Sequence, residues 1–258
     1  MVLTIDIGNT NIVLGGWNQD KLEFVSRLET NRFKTEDGYA IELKSIFELY
    51  QIERSGVEGS IISSVVPQIS GAVAHSVERL TGKKPLVVGP GIKTGLNIRV
   101  DDPAHLGSDL VVDAVAALAK YPKPIIIVDM GTATKISAID TSGSFMGCAI
   151  IPGIRLGLDA LAERTAQLPH IELKTPEEMI GKNSSDSMQS GAVYGTASMI
   201  DGMVERFEQR LNQKASVVAT GGFAGDIIPH CRRKITLCPH LLMEGLLMIY
   251  RKNVAAKI

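Results

Sequence analysis

Two short segments of this chain set a carboxylate, a glycine and amide or hydroxyl side chains in the same order: Asp6-Ile7-Gly8-Asn9-Thr10-Asn11 and Asp129-Met130-Gly131-Thr132-Ala133-Thr134. A glycine lets backbone N–H groups come close to a phosphate, and neighbouring amides and hydroxyls supply donors for its charge. A carboxylate at the head of such a turn suits Mg²⁺, held directly or through water, so Asp6 is a candidate for the magnesium of a nucleoside triphosphate. In the second copy Asp129 offers a hard oxygen ligand for a cation, and Thr132 and Thr134 offer hydroxyls. The plainer reading of each segment is a polar hairpin connection. Repetition favours the chemical reading.

A third segment, Ala219-Thr220-Gly221-Gly222-Phe223-Ala224-Gly225, puts paired glycines where the chain could run flat against a ligand such as adenosine. An ordinary strand-to-helix turn is its alternative. Asp109 opens an apolar-periodic segment running to about Lys120, so it sits in a first helical turn, where the helix dipole favours a carboxylate. It is either a group that accepts a proton or a capping residue.

The elements that must position these residues read as alternating strands and helices. Val2 to Ile5 and Ile12 to Trp17 form strands around the first turn, and Pro124 to Val128 and Lys135 to Ile139 form strands around the second. Gly59 to Pro67, Lys84 to Val88 and Ala215 to Thr220 read as further strands. Helices are expected near Tyr39 to Tyr50, Ile69 to Leu80, Ser187 to Leu211 and Leu241 to Tyr250. The two aspartates stand 123 residues apart, from 6 to 129, close to half of the 258 residues. That period is too long for a solenoid and indicates a duplicated α/β domain, divided near Lys120 to Pro124 into residues 1–120 and 121–258.

Composition excludes several classes of function. With 45% hydrophobic and 21% charged residues the chain is too apolar to be disordered. A formal net charge of −1 gives no general attraction to nucleic acid or anionic membrane, and Arg232-Arg233-Lys234 reads as solvated surface. No apolar run reaches membrane-spanning length and the first residues lack the pattern of a signal peptide, so a cytoplasmic protein is expected. Cys148, Cys231 and Cys238 are too scattered for a disulfide framework, and His230-Cys231 with Cys238-Pro239-His240 fits zinc spacing poorly.

In this ordered set the chain resembles the type III pantothenate kinases, of the acetate and sugar kinase, heat-shock and actin superfamily. The resemblance runs through Asp6 to Asn11, Ile62 to Pro67, Gly89 to Leu96, Asp102-Pro103 with Gly107-Ser108-Asp109, and Asp129 to Thr134. It continues through Ile151-Pro152-Gly153, Gly181 to Ser184, Gln189 to Gly191 and Thr220 to Gly222. It implies duplicated actin-like (ribonuclease H-like) domains with a nucleotide cleft between them. It also implies transfer of the γ-phosphate of ATP to pantothenate, at the start of coenzyme A synthesis, in a homodimer. By resemblance Asp109 is the base, and Asp6, Ile7, Gly8, Asn9, Thr10, Asn11, Ile12, Val13 and Thr132 contact ATP. Val100, Gly107, Ser108, Asp109, Leu110 and Ser184 line the acceptor site, and Asp129 holds a monovalent cation, K⁺ or NH₄⁺, beside the Mg²⁺ that travels with ATP.

The departures from the family pattern gather on the acceptor side and beside the second turn. Leu110 stands where Gly-Ala-Asp-Arg has its arginine, which removes a fork suited to pantothenate's carboxylate. Val100 replaces a usual Tyr, Ser184 a Thr, and Lys135 and Ser137 the usual Thr and Asp. Lys135 either turns inward and takes over a charge or is a solvated strand residue. Two rivals to a pantothenate kinase stay open: a nucleotide-binding regulatory paralogue without turnover, and a kinase for a related hydroxylated metabolite. ADP formation with pantothenate separates them.

Overall fold

The computed structural model describes residues 1–255. By internal contacts the chain forms two compact units: Met1–Gly95, Asp102–Ala116 and the residues from Leu242 on make the first, and Leu96–Asp101 with Ala117–Leu241 make the second. The divide thus falls within a helix at 116/117, where the sequence suggested 120/121, and the last helix belongs with the first unit.

In the first unit a meander of β1 (Val2–Ile7), β2 (Asn11–Asn18) and β3 (Lys21–Glu29) is followed by α1 (Glu36–Leu49), β4 (Gly59–Ser64), α2 (Pro67–Thr81) and β5 (Leu86–Val87). The sheet order is β3-β2-β1-β4-β5, with β1 antiparallel to β2 and parallel to β4. Because side chains alternate along a strand, β1 sends Leu3, Ile5 and Ile7 to one face and Val2, Thr4 and Asp6 to the other. The first face packs on Leu43, Ile46 and Phe47 of α1 and Val73 and Val77 of α2. The second face is covered where Val2, Trp17 and Ile61 meet Val112 of α3 (Ser108–Lys120) and Met243, Leu246 and Ile249 of α8 (Leu241–Ala255). That apolar face of α8 is the physical reason the C-terminal helix joins the first unit.

The second unit repeats the scheme. Its strands are β6 (Asn97–Ile98), β7 (Ile125–Met130), β8 (Ala133–Ile139), β9 (Ser144–Pro152), β10 (Ser216–Thr220) and β11 (Thr236–Leu237), in the sheet order β11-β10-β7-β8-β9-β6. Set aside β6 and each strand has a counterpart: β7, β8 and β9 form the antiparallel meander, and β10 and β11 extend it in parallel. One face packs on α4 (Ile154–Arg164), α5 (Ser184–Ser190), α6 (Thr196–Leu211) and α7 (Ala224–Ile227), through Val128, Met130, Leu158, Val193, Ile200 and Ile227 among others. The duplicated α/β architecture expected from the two aspartate turns is present.

Several boundaries differ from the sequence reading. β4 stops at Ser64, because Pro67, which has no N–H to give a strand ladder, instead starts α2 at its first position. The single helix expected over 187–211 is α5 and α6 joined by a π-helical turn, Gly191–Gly195. β3, β9 and α4 were not expected at all.

Candidate active site

The first turn is short and braced. Asp6 and Ile7 belong to β1, so the turn proper is Gly8 to Thr10, closed by Gly8 N–H donating to Asn11 C=O at 3.0 Å. A Cβ on Gly8 would stand 3.1 Å from that same carbonyl, which is why the tight reversal takes glycine. Thr30, just past β3, donates its hydroxyl to Gly8 C=O at 2.7 Å and its N–H to Thr10 C=O at 3.0 Å. Arg32 Nη2 donates to Asn9 Oδ1 at 3.0 Å, setting a guanidinium beside the exposed Asn9, Thr10 and Asn11. Ile7 and Ile12 have side chains in the core, so they can offer a ligand only backbone, and Val13 is half-buried.

Asp109 is positioned within the same unit. Asp6 lies in register with Ser63 of β4, and Ile7 with Ser64, on strands that run about 4.8 Å apart. Ser63 Oγ is 3.0 Å from Ser108 Oγ. Ser108 also accepts from Ser64 N–H at 3.1 Å and donates to Ser64 C=O at 2.9 Å. The first residue of α3 is therefore pinned to the end of the strand beside Asp6, and Asp109 follows it in the helix's first turn. A Cβ at Gly107 would meet Asp109 Oδ1 at 2.6 Å, so glycine there leaves the carboxylate its place. Leu110, next along, is buried, only 6% exposed.

The second turn is built on the same plan but furnished differently. Asp129 pairs in register with Thr220 of β10 and with Lys135 of β8, as Asp6 does with Ser63 and Val13. Where Val13 is apolar, Lys135 Nζ lies 2.7 Å from Asp129 Oδ2, and both side chains are largely buried, 16% and 14% exposed. Thr132 is exposed and Thr134 buried, so Thr132 is the hydroxyl open to a ligand. Two glycines press on this turn: a Cβ on Gly153 would come within 2.2 Å of Thr132 C=O, and one on Gly221, whose φ is +93°, within 2.5 Å of the Met130 backbone. Gly221 is thus explained by packing, whereas nothing lies within 4 Å of a Cβ on Gly222.

The second unit also holds a cavity of about 840 Å³, lined by Gly153, Leu158, Leu161, Gly181, Ser184 and Met188 among others. Ser184 begins α5, whose cap Asn183 accepts from Asp186 N–H at 2.9 Å. Val100, half-buried, follows β6 in the same unit.

A family model described as type III pantothenate kinase matches residues 2–206. This chain belongs to the type III pantothenate kinase family. It is 45% identical over 253 residues to the type III pantothenate kinase of Exiguobacterium sp. (strain ATCC BAA-1283 / AT1b), covering 98% of this chain and 99% of that one. To the type III pantothenate kinase of Geobacillus sp. (strain WCH70) it is 42% identical over 257 residues, with both chains covered completely. Among solved structures, component A of (R)-2-hydroxyglutaryl-CoA dehydratase from Acidaminococcus fermentans matches with TM-score 0.55 at 16% identity, covering 98% of each chain. The activator of 2-hydroxyisocaproyl-CoA dehydratase from Clostridium difficile, with bound ADPNP, matches with TM-score 0.54 at 12% identity, covering 100% of this chain and 97% of that one. These two share the fold.

Within this type III pantothenate kinase fold, Asp6 to Val13 and Gly107 to Leu110 lie in the first unit, and Val100, Asp129, Thr132 and Ser184 in the second. Thr30 and Arg32 join the first group without having been singled out in the sequence, and Ser63 and Ser64, which the sequence marked only as part of the Ile62 to Pro67 segment, join it with a role. Only strand register brings the serines to Ser108, and only the path of the chain after β3 brings Thr30 and Arg32 to the turn. Among the basic cluster, Arg233 is not solvated surface: it forms a two-pronged ion pair with the buried Glu208. No helix among the described residues is long and apolar enough to cross a membrane.

Proposed function

We propose that this chain transfers the γ-phosphoryl group of ATP to the primary hydroxyl of pantothenate. Family membership supports the reaction class. One observation carries the local reading: Ser108 ties the start of α3 to the strand beside Asp6, which sets the Asp109 carboxylate and the phosphate-type turn in one unit. Phosphoryl transfer depends mostly on positioning and on charge stabilisation, so a carboxylate that receives the acceptor's proton and a turn rich in donors are a sufficient set. The hydroxyl oxygen bonds to the γ-phosphorus as its proton passes to Asp109, and the β–γ bridging oxygen leaves with ADP. Gly8 to Asn11 and Arg32 hold the phosphates.

The hard oxygen of Asp6 at the end of β1 fits a magnesium ion carried by ATP, directly or through water. Bound there, Mg²⁺ would neutralise phosphate charge. Ser184, on the wall of the second unit's cavity, supports an acceptor subsite there. Family membership supports a homodimer, which light scattering would read as twice the chain's mass. A cytoplasmic setting accords with ATP as co-substrate.

The test is ADP and phosphopantothenate formation by the purified protein with ATP, Mg²⁺ and pantothenate. Asp109→Asn should reduce turnover by about 10²- to 10⁴-fold while leaving the rise in Tm on adding ATP. A wild-type protein that ATP stabilises but that forms no ADP would overturn the reading in favour of a regulatory nucleotide-binding role. A second reading rests on Leu110 standing where the resemblance places an arginine: the acceptor would be a hydroxylated metabolite lacking pantothenate's carboxylate. Turnover with such an alcohol exceeding that with pantothenate would establish it.

A further inference from the structure

Membership of the family led to the expectation of a monovalent cation on Asp129, and the residues at that carboxylate do not fit one. Asp129 Oδ2 already carries the Lys135 ammonium at 2.7 Å, with both side chains largely buried. Lys135 is held from both sides, since β8 is an interior strand and Lys135 is in register with Asp129 on β7 and with Ile150 on β9. The ammonium is therefore delivered by a fixed backbone, which distinguishes it from a surface lysine free to swing into water. A K⁺ ion bound to the same carboxylate would have to displace Nζ or share one negative charge with a second cation in a poorly solvated place. Both are unfavourable, because like charges at contact distance repel strongly where water is excluded.

We infer that Lys135 is a built-in replacement for the free monovalent cation at Asp129, so that this protein works without K⁺ or NH₄⁺ there. The apolar Val13, at the matching register position opposite Asp6, shows that a hairpin of this plan has no structural need for a lysine at that place. Lys135 is a positioning residue: it balances and orients the Asp129 carboxylate beside the exposed Thr132.

The activity arm of the test rests on the proposed kinase reaction; the thermal arm does not. ADP is measured by chromatography at constant ionic strength in KCl, NH₄Cl or tetramethylammonium chloride, for the wild type, Lys135→Thr and Lys135→Arg. The wild-type rate should change less than about twofold among the salts. Lys135→Thr should fall about tenfold or more in tetramethylammonium and regain rate in K⁺, and Lys135→Arg should stay indifferent to K⁺. In parallel, Tm is followed with ATP in each salt: the wild type should show no K⁺-specific rise, and Lys135→Thr should show one. A wild-type rate or Tm that rises specifically with K⁺ overturns the inference. If no ADP forms in any salt, the kinase reading fails while the Tm arm still decides the cation question. If Lys135→Thr does not fold, the wild-type salt series and Lys135→Arg decide it.

Discussion

The hydroxyl of Ser108 both receives the N–H of Ser64 and donates to the Ser64 carbonyl, so one side chain on α3 closes both backbone groups at the end of β4. The resemblance implies alanine at this place, and against that pattern the serine is an added tie between the helix that carries Asp109 and the strand beside Asp6.

Removing it tests whether that tie positions the base. Ser108→Ala leaves the Ser64 backbone groups short of a partner, at a cost of about 1–2 kcal/mol, read in a urea titration. Turnover should fall several-fold through kcat, with the ATP-induced Tm rise kept. Unchanged stability and unchanged kcat together would show the tie to be incidental.

The position after Asp109 behaves differently from what its sequence suggests. Leu110 reads there as a lost arginine, which invites restoring the charge, but its side chain is buried and 6% exposed. Leu110→Arg must therefore bury a guanidinium, and destabilisation of about 3 kcal/mol is expected, with no gain in pantothenate turnover. A variant as stable as the wild type with improved turnover would refute this.

How far the sequence reveals the molecule depends on which physical cue each residue leaves. The first hairpin was legible because β1 and β2 alternate around a glycine turn, and the duplication because Asp6 and Asp129 head matching turns. β3, with half-buried Leu22, Val25 and Leu28 among charged residues, and α4, interrupted by Gly157, leave weaker periodic signals. The Lys135 pair was legible only as a question, because a strand lysine reads equally as solvated until register puts it opposite Asp129. Arg233 was misread for the same reason: its partner Glu208 is 25 positions away in sequence and on another element.

Gly221 tests whether the second turn is shaped by close backbone packing. With φ at +93° and a Cβ that would fall 2.5 Å from Met130 N and C, Gly221→Ala incurs both a strained backbone and a clash that no rotamer relieves. A loss of at least about 2 kcal/mol is expected in thermal or urea unfolding. Gly222→Ala, with open space around its Cβ, should stay within about 0.5 kcal/mol of the wild type. Equal effects of the two substitutions would remove the packing explanation.

Glu208 on α6 contributes to the second unit a stability that acid removes. Burial alone would raise its carboxyl, but hydrogen bonds from Arg233, Lys214 and the Ala215 N–H outweigh that and hold it down to about 2, from 4.5. Arg233 Nη1 donates to Oε2 at 2.8 Å, Lys214 Nζ to the same oxygen at 2.8 Å, and Ala215 N–H to Oε1 at 3.0 Å. Because the folded value is depressed, the stabilisation is complete above pH 4.5 and disappears as pH falls toward 2. The shift corresponds to about 3 kcal/mol, reduced somewhat because Lys214 is largely in water. Glu208→Gln keeps the shape but not the charge, so at pH 7 it should be about 2–3 kcal/mol less stable than the wild type. Between about pH 5 and 2 the gap should close, because the wild type loses a contribution the variant never had. A constant gap across that range would mean that Glu208 stabilises through packing instead of its charge.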